Sequence, residues 1–214
     1  MSEHAKLRED ICLLAKSLFD RGLTAGSSGN ISARLSDGSI LVTPTGRAMG
    51  FLDPAQISHL DAEFRHLSGD LPTKETPLHS AFYDTRAGTG AVVHLHSTHS
   101  VALSMLPDTD PENVLPPLTP YTIMRVGKVK LLPFYLPGDP EMGQAVRGLA
   151  GKRSAVLLAN HGPVVAGKDI WAATFAMEEL EEAAKLAMLT RGLAPNALSP
   201  EHINQIVRRF DVDW

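Results

Sequence analysis

The chain has one cysteine, Cys12, among its 214 residues. An internal disulfide is therefore impossible, thiolate-based zinc patterns are absent, and a secreted disulfide scaffold is excluded. No apolar run reaches the roughly 18 residues of a membrane span. The opening MSEHAKLRED is polar and charged, unlike a secretory leader. There is no excess of positive charge: the formal net charge is −4 and no basic patch stands out, which argues against a nucleic-acid partner. Internal repeats and low-complexity segments are also missing. Apolar residues make up 43% and charged residues 21%, the balance of an ordinary globular protein. A chain of this length buries roughly 70% of its unfolded surface without cross-links. We expect one compact domain over residues 1–214, located in the cytoplasm.

The patterning is α/β. Leu7, Ile11, Leu14 and Leu18 recur at steps of four, three and four, one face of a helix that Gly22 closes. SILVTPTG reads as a strand running into a turn. TPLHSAFYDTRAG reads as a helix with Thr76 as N-cap, Pro77 at the first position and Gly88 near the end. GAVVHLHS, VKLLPFY and SAVLLAN are strand candidates, and PVVAGK returns as the second arm of a hairpin. Ile170, Ala173, Met177, Leu180 and Ala184 hold helical period, with Glu181 and Lys185 expected to pair on the opposite face. SPEHINQIVRRFDVDW reads as a short helix, and LPDTDPENVLPPLTP as a long loop. Helices alternate with strands and lie at both ends, so a central sheet covered by helices is expected. Two hairpin-like pairs favour a mixed or antiparallel sheet over a parallel one.

What the chain does have is histidine: nine in all, three of them within AVVHLHSTHS. Side chains two apart on a strand share a face. His94 and His96 therefore point the same way and form a ready clamp for a metal. Taken alone, such a pair is more simply two hydrogen-bonded histidines at a sheet edge. His161 follows the apolar run of SAVLLANHGPVV at a glycine turn, a rigid place from which to present a ligand. Glu75 directly precedes the expected helix, where the helix dipole favours an ionised carboxylate. Three histidines and a carboxylate match a catalytic zinc site. Cobalt, manganese or iron suits the same donors. His99 is expected to cap or to sit behind the ligands, and His79 to be packed. His4, His59, His66 and His202 carry no signal.

Three small polar segments complete the pattern. GSSGN, with Ser28, Gly29 and Asn30, offers backbone N–H groups, hydroxyls and an amide. TPTG offers Thr45 and Gly46 at a strand end, and Thr73 and Lys74 add a hydroxyl and a cation just before Glu75. Singly, these are ordinary turns. Together, near a metal, they make a cradle for an anion.

Ser28-Gly29-Asn30-Ile31-Ser32, Thr43-Pro44-Thr45-Gly46, Lys74-Glu75, His94-Leu95-His96 and Asn160-His161-Gly162 occur here in one order, and in them the chain resembles the class II aldolase/adducin family from Leu7 to about Gly192. The resemblance implies a three-layer α/β/α fold with a mainly antiparallel sheet, and a homotetramer with active sites between subunits. It also implies zinc, or another divalent metal such as Mn2+ or Co2+, on His94, His96 and His161. Glu75 is then a fourth ligand or the acid/base. Ser28, Gly29, Asn30, Thr45, Gly46, Thr73 and Lys74 fall at or beside the positions that hold a substrate phosphate. Tyr121 matches a proton-donating tyrosine that reaches the metal of a neighbouring subunit; its alternative is an aromatic packed in a proline-rich loop.

Members of the family differ in reaction. Some are sugar-phosphate aldolases of the fuculose or ribulose phosphate type, and adducin heads are non-catalytic interaction modules without the metal histidines. The segment Leu118–Asp139 and Lys74 look most like the branch that decarboxylates 3-oxo-tetronate 4-phosphate to dihydroxyacetone phosphate and CO2. Its substrate would be a small phosphorylated sugar acid, and the negative charge left on carbon would be absorbed as a metal-stabilised enediolate. Retention of Glu75 and all three histidines argues against the adducin-like alternative.

Overall fold

The computed structural model of the protein describes residues 2–214. Its centre is one eight-stranded sheet. In chain order the strands are β1 (Asn30–Arg34), β2 (Ile40–Val42), β3 (Ser58–Leu60), β4 (His66–Ser68), β5 (Ala91–His94), β6 (Lys130–Leu132), β7 (Ala155–Leu158) and β8 (Gly162–Gly167). Across the sheet they run β4-β3-β2-β1-β5-β8-β7-β6. Only β6 and β7 are parallel; every other neighbouring pair is antiparallel. This is the mainly antiparallel, mixed sheet that the hairpin signals point to.

Alternation along the strands divides the core into two layers. Ile31, Ala33, Val93, Leu157 and Val165 face one side. They pack against helices α1 (Glu3–Asp20) and α6 (Ile170–Leu189). Val92, Val156, Leu158 and Val164 face the other side, against α2 (Thr76–Thr85) and α5 (Pro140–Arg147). The fold is thus helix layer, sheet, helix layer. On α1, Ile11, Leu14, Ala15 and Leu18 are the buried face, and Gly22 follows the last turn with φ +75°, the left-handed position that a glycine takes without steric cost. On α6, Ile170, Ala173, Met177, Leu180 and Ala184 are all buried, as their spacing requires.

Two local expectations change. Helix α2 starts one residue early: Glu75, not Thr76, occupies the N-cap position, and its side chain makes no cap hydrogen bond. That carboxylate is drawn away to other partners. Glu181 does not pair with Lys185, which bonds Glu182 instead. Glu181 is buried and reaches across to α3 (Thr98–Ser104), accepting from the amides of His99 and Ser100, the His99 ring and the Ser100 hydroxyl. It closes the N-terminus of a short helix that lacks a side-chain cap of its own. The proline-rich stretch is a loop that leads into α4 (Pro120–Arg125), and the last helix is α7 (Pro200–Phe210). No described helix is long and apolar enough to cross a membrane.

Candidate metal centre and anion pocket

Antiparallel pairing of β5 with β8 sets His94 opposite Val164. His161 lies in the tight turn between β7 and β8, so it comes to the same end of the sheet although 67 positions separate it from His94. His96 stands two residues beyond His94, just past the end of β5, and its ring still turns to the same side. The close approach of the two segments needs Gly162. A Cβ there would lie 2.1 Å from the Leu95 carbonyl oxygen. Gly29 is required for a similar reason: at φ +84° an added Cβ would meet the Met49 sulfur at 2.9 Å and the His94 carbonyl oxygen at 3.1 Å.

The three rings converge. His94 Nε2 is 3.2 Å from His96 Nε2 and 3.4 Å from His161 Nε2. All three donor atoms lie within 4.8 Å of one another. Two nitrogens bound to one zinc at a tetrahedral angle would be separated by about 3.3 Å. His94 Nδ1–H donates to the Pro163 carbonyl at 2.8 Å, so in the neutral ring Nε2 is left bare. This lone pair faces two other ring nitrogens and a carboxylate oxygen, an arrangement that makes chemical sense around a cation. Burial holds His94 neutral, pushing its pKa down to about 4 against the pull of Glu75, and burial lowers His96 as well. Neutral imidazole is the form that ligates. The donor set therefore fits a divalent transition metal.

Glu75 closes the group. Its Oε2 lies 3.5 Å from His94 Nε2 and its Oε1 3.4 Å from His161 Nε2. Asn30 Nδ2 donates to Oε2 at 2.7 Å. Burial pushes the carboxyl up, but the imidazoles beside it and the bond from Asn30 outweigh it and hold the group well below the usual carboxylate range. Glu75 is thus held as a carboxylate, the form that ligates a cation.

A cavity of about 180 Å³ opens beside the cluster. Ser28, Gly29, Asn30, Thr45, Gly46, Thr73 and Lys74 all line it, together with Glu75 and His96. Segments that are far apart in the chain thus meet at one place. The amides of Gly29, Gly46 and Lys74 make no hydrogen bond among the described residues, and the exposed Lys74 forms no ion pair there. Free N–H groups and one cation make the pocket suited to an anion. The Ser28 hydroxyl contributes less than its position suggests, because it already donates to the Ala25 carbonyl at 2.6 Å.

Tyr121 is not part of this constellation. It sits in the first turn of α4, 55% exposed, and does not line the cavity of its own chain. His99 is held by Glu181 and stays outside the cluster. Pro137 and Gly138 form part of the cavity wall; only their place in the loop after β6 hinted at that. His79 is fully buried and does more than pack: its Nε2 bonds Asn30 and its Nδ1 bonds Ser32. Nothing in its local sequence signalled this, since a histidine on the buried face of a helix looks the same whether or not it serves a site.

Comparison with known proteins adds the following. Residues 9–188 match the family described as Class II Aldolase and Adducin N-terminal domain. The chain is 46% identical over 218 residues to the 3-oxo-tetronate 4-phosphate decarboxylase of Cupriavidus necator, covering all of both chains. It is 31% identical over 205 residues to the L-fuculose phosphate aldolase of Haemophilus influenzae, covering 94% of this chain and 90% of that one. The crystal structure of YgbL from Escherichia coli superposes with a TM-score of 0.94 at 44% identity, covering 96% of this chain and 99% of the other.

Proposed function

The chain belongs to the class II aldolase and adducin family, and from that premise we propose that it is a zinc-dependent decarboxylase of 3-oxo-tetronate 4-phosphate, releasing CO2 and dihydroxyacetone phosphate. The observation that carries a metal-dependent carbon–carbon lyase is the convergence of three imidazole Nε2 atoms and Glu75 beside an anion-suited cavity. The choice of decarboxylase over aldolase is supported by the higher identity to a decarboxylase, 46% over the full length of both chains against 31% to the aldolase.

His94, His96 and His161 would hold the metal, with Glu75 as a further ligand or as the group that substrate displaces. When bound, a divalent ion there supplies a Lewis acid for the charge left beside a carbonyl as a carbon–carbon bond opens. The chain's own residues do the rest. Gly29, Gly46 and Lys74, with Asn30, Thr45 and Thr73 around them, hold the phosphate. This remote binding orients the reacting carbons. The C1–C2 bond breaks and its electron pair moves towards the C3 carbonyl. C2 then takes up one proton, from Tyr121 or from water relayed by Glu75, whose ionised carboxylate carries no proton of its own. Because Tyr121 is exposed and outside its own cavity, this role requires a neighbouring subunit's site, and a homotetramer with sites at the interfaces is part of the reading.

The test is direct. Purified, metal-loaded protein is incubated with 3-oxo-tetronate 4-phosphate, and CO2 and dihydroxyacetone phosphate are followed. Their appearance together supports the assignment. No turnover of that acid, with release of an aldehyde from fuculose or ribulose phosphate, would make the protein an aldolase.

A further inference from the structure

Behind Glu75 runs a line of buried hydrogen bonds. Asn30 and Ser32 are two apart on β1 and share a face, and Asn30 pairs directly with His94 across the sheet. His79 and Tyr83, one turn apart on α2, lie over that face. Tyr83 Oη is 3.0 Å from Ser32 Oγ, and Ser32 Oγ is 2.7 Å from His79 Nδ1. His79 Nε2 is 2.5 Å from Asn30 Oδ1, and Asn30 Nδ2 is 2.7 Å from Glu75 Oε2. All five residues are buried.

One end sets the direction of the whole line. An ionised carboxylate only accepts hydrogen bonds. Asn30 must therefore turn Nδ2 to Glu75 and Oδ1 to His79. His79 Nε2 must then carry a hydrogen, because a bare nitrogen would face a carbonyl oxygen. Burial keeps the ring neutral, with a pKa of about 3, so Nδ1 is bare and accepts from the Ser32 hydroxyl. Ser32 in turn accepts from Tyr83, whose proton burial holds in place. Turning the Asn30 amide over would set Oδ1 against the carboxylate and Nδ2 against an N–H, two unfavourable contacts between buried groups.

We propose that His79 is a positioning residue for Glu75: as the Nε2–H tautomer it locks the Asn30 amide towards Oε2, leaving Oε1 turned to His161 and the metal centre. This rests on the reading of Glu75 as a working group of the site. His79 is fully buried, in a position that an aliphatic side chain would fill without polar obligations; a histidine there is explained by where the line ends.

Nitrogen-15 NMR of the histidine-labelled protein, assigned by the signal lost in His79→Gln, tests the tautomer. The expected result is a ring protonated on Nε2, bare on Nδ1 and unchanged between about pH 5 and 8, the range in which an ordinary imidazole titrates. A ring protonated on Nδ1 overturns the proposal. This measurement needs neither substrate nor turnover, so it decides the tautomer whichever reaction the protein catalyses. Two variants separate positioning from packing. His79→Gln keeps a side-chain N–H for Asn30, and His79→Leu does not. In the leucine variant zinc affinity, measured by chelator competition, and kcat are expected to fall about 10- to 100-fold, with most of the loss recovered in the glutamine variant. Equal losses in both variants, or none in either, overturn the proposal.

Discussion

Consider Gly162→Ala, a single methyl group added beside the metal centre. Its Cβ would lie 2.1 Å from the Leu95 carbonyl oxygen and 3.2 Å from the His96 Cα. Real Cβ contacts essentially never fall under 3.0 Å, so the β7–β8 turn and the end of β5 must separate by about 0.9 Å. Both neighbours are backbone, so no side chain can swing away to absorb this. His161 directly precedes Gly162, and His96 directly follows Leu95. The displacement therefore acts between two of the three imidazoles. Metal–ligand bonds tolerate roughly 0.2 Å, so one ring is expected to leave the cluster. Zinc affinity should fall by more than the roughly 10- to 100-fold seen on disturbing a group behind a ligand, while overpacking costs about 1–3 kcal/mol of stability. Gly22→Ala is the control. It lies at φ +75° with open space around it, so about 1–2 kcal/mol is lost to the left-handed backbone and zinc binding is untouched. Chelator competition and thermal unfolding of the metal-free proteins read both quantities. If Gly162→Ala bound zinc with wild-type affinity, the geometry of this centre would be wrong.

Acid should destabilise the metal-free protein through its buried histidines. A group whose folded pKa lies below its unfolded value binds fewer protons when folded, so stability is complete above the unfolded pKa and is lost as pH falls towards the folded one. For His79, which burial lowers from 6.5 to about 3, this amounts to about 2 kcal/mol between pH 8 and 5. His94 acts in the same direction. Urea unfolding across that range should show the slope, shallower in His79→Gln; a flat profile would contradict it. Lys74→Ala should lower kcat/KM for the phosphorylated substrate about 10-fold, the worth of one charged hydrogen bond. An unaltered kcat/KM in steady-state kinetics removes Lys74 from the phosphate cradle. Mixing inactive Tyr121→Phe with inactive Glu75→Ala protein should restore part of the activity in hybrid oligomers. No recovery, with hybrids verified by native mass spectrometry, would confine Tyr121 to its own subunit or take it out of catalysis.

Much of this was legible in the sequence because the signals are local. The four-and-three spacing of Leu7, Ile11, Leu14 and Leu18 marks a helix whatever lies around it. The same holds for the apolar runs that became β5 and β7, and for two histidines two apart at the end of one of them. Where context competes with a local rule, the local rule fails. Thr76 resembles an N-cap residue, yet the chain enters the helix one residue earlier, at Glu75, whose carboxylate is occupied by Asn30 and the histidines. Glu181 and Lys185 have the spacing of a surface pair, yet Glu181 faces inward and holds the start of α3.

By itself the sequence determined which segments form helices and strands, which faces are apolar, and which donor-bearing side chains exist to serve a site. Each of these follows from interactions within a few residues of chain. Only the tertiary structure decided that three imidazoles share one point, that five separate segments line one cavity, that His79 stands behind Glu75, and that Tyr121 looks outward. These depend on strand order and register, which bring together groups tens of residues apart, and no local periodicity encodes that pairing.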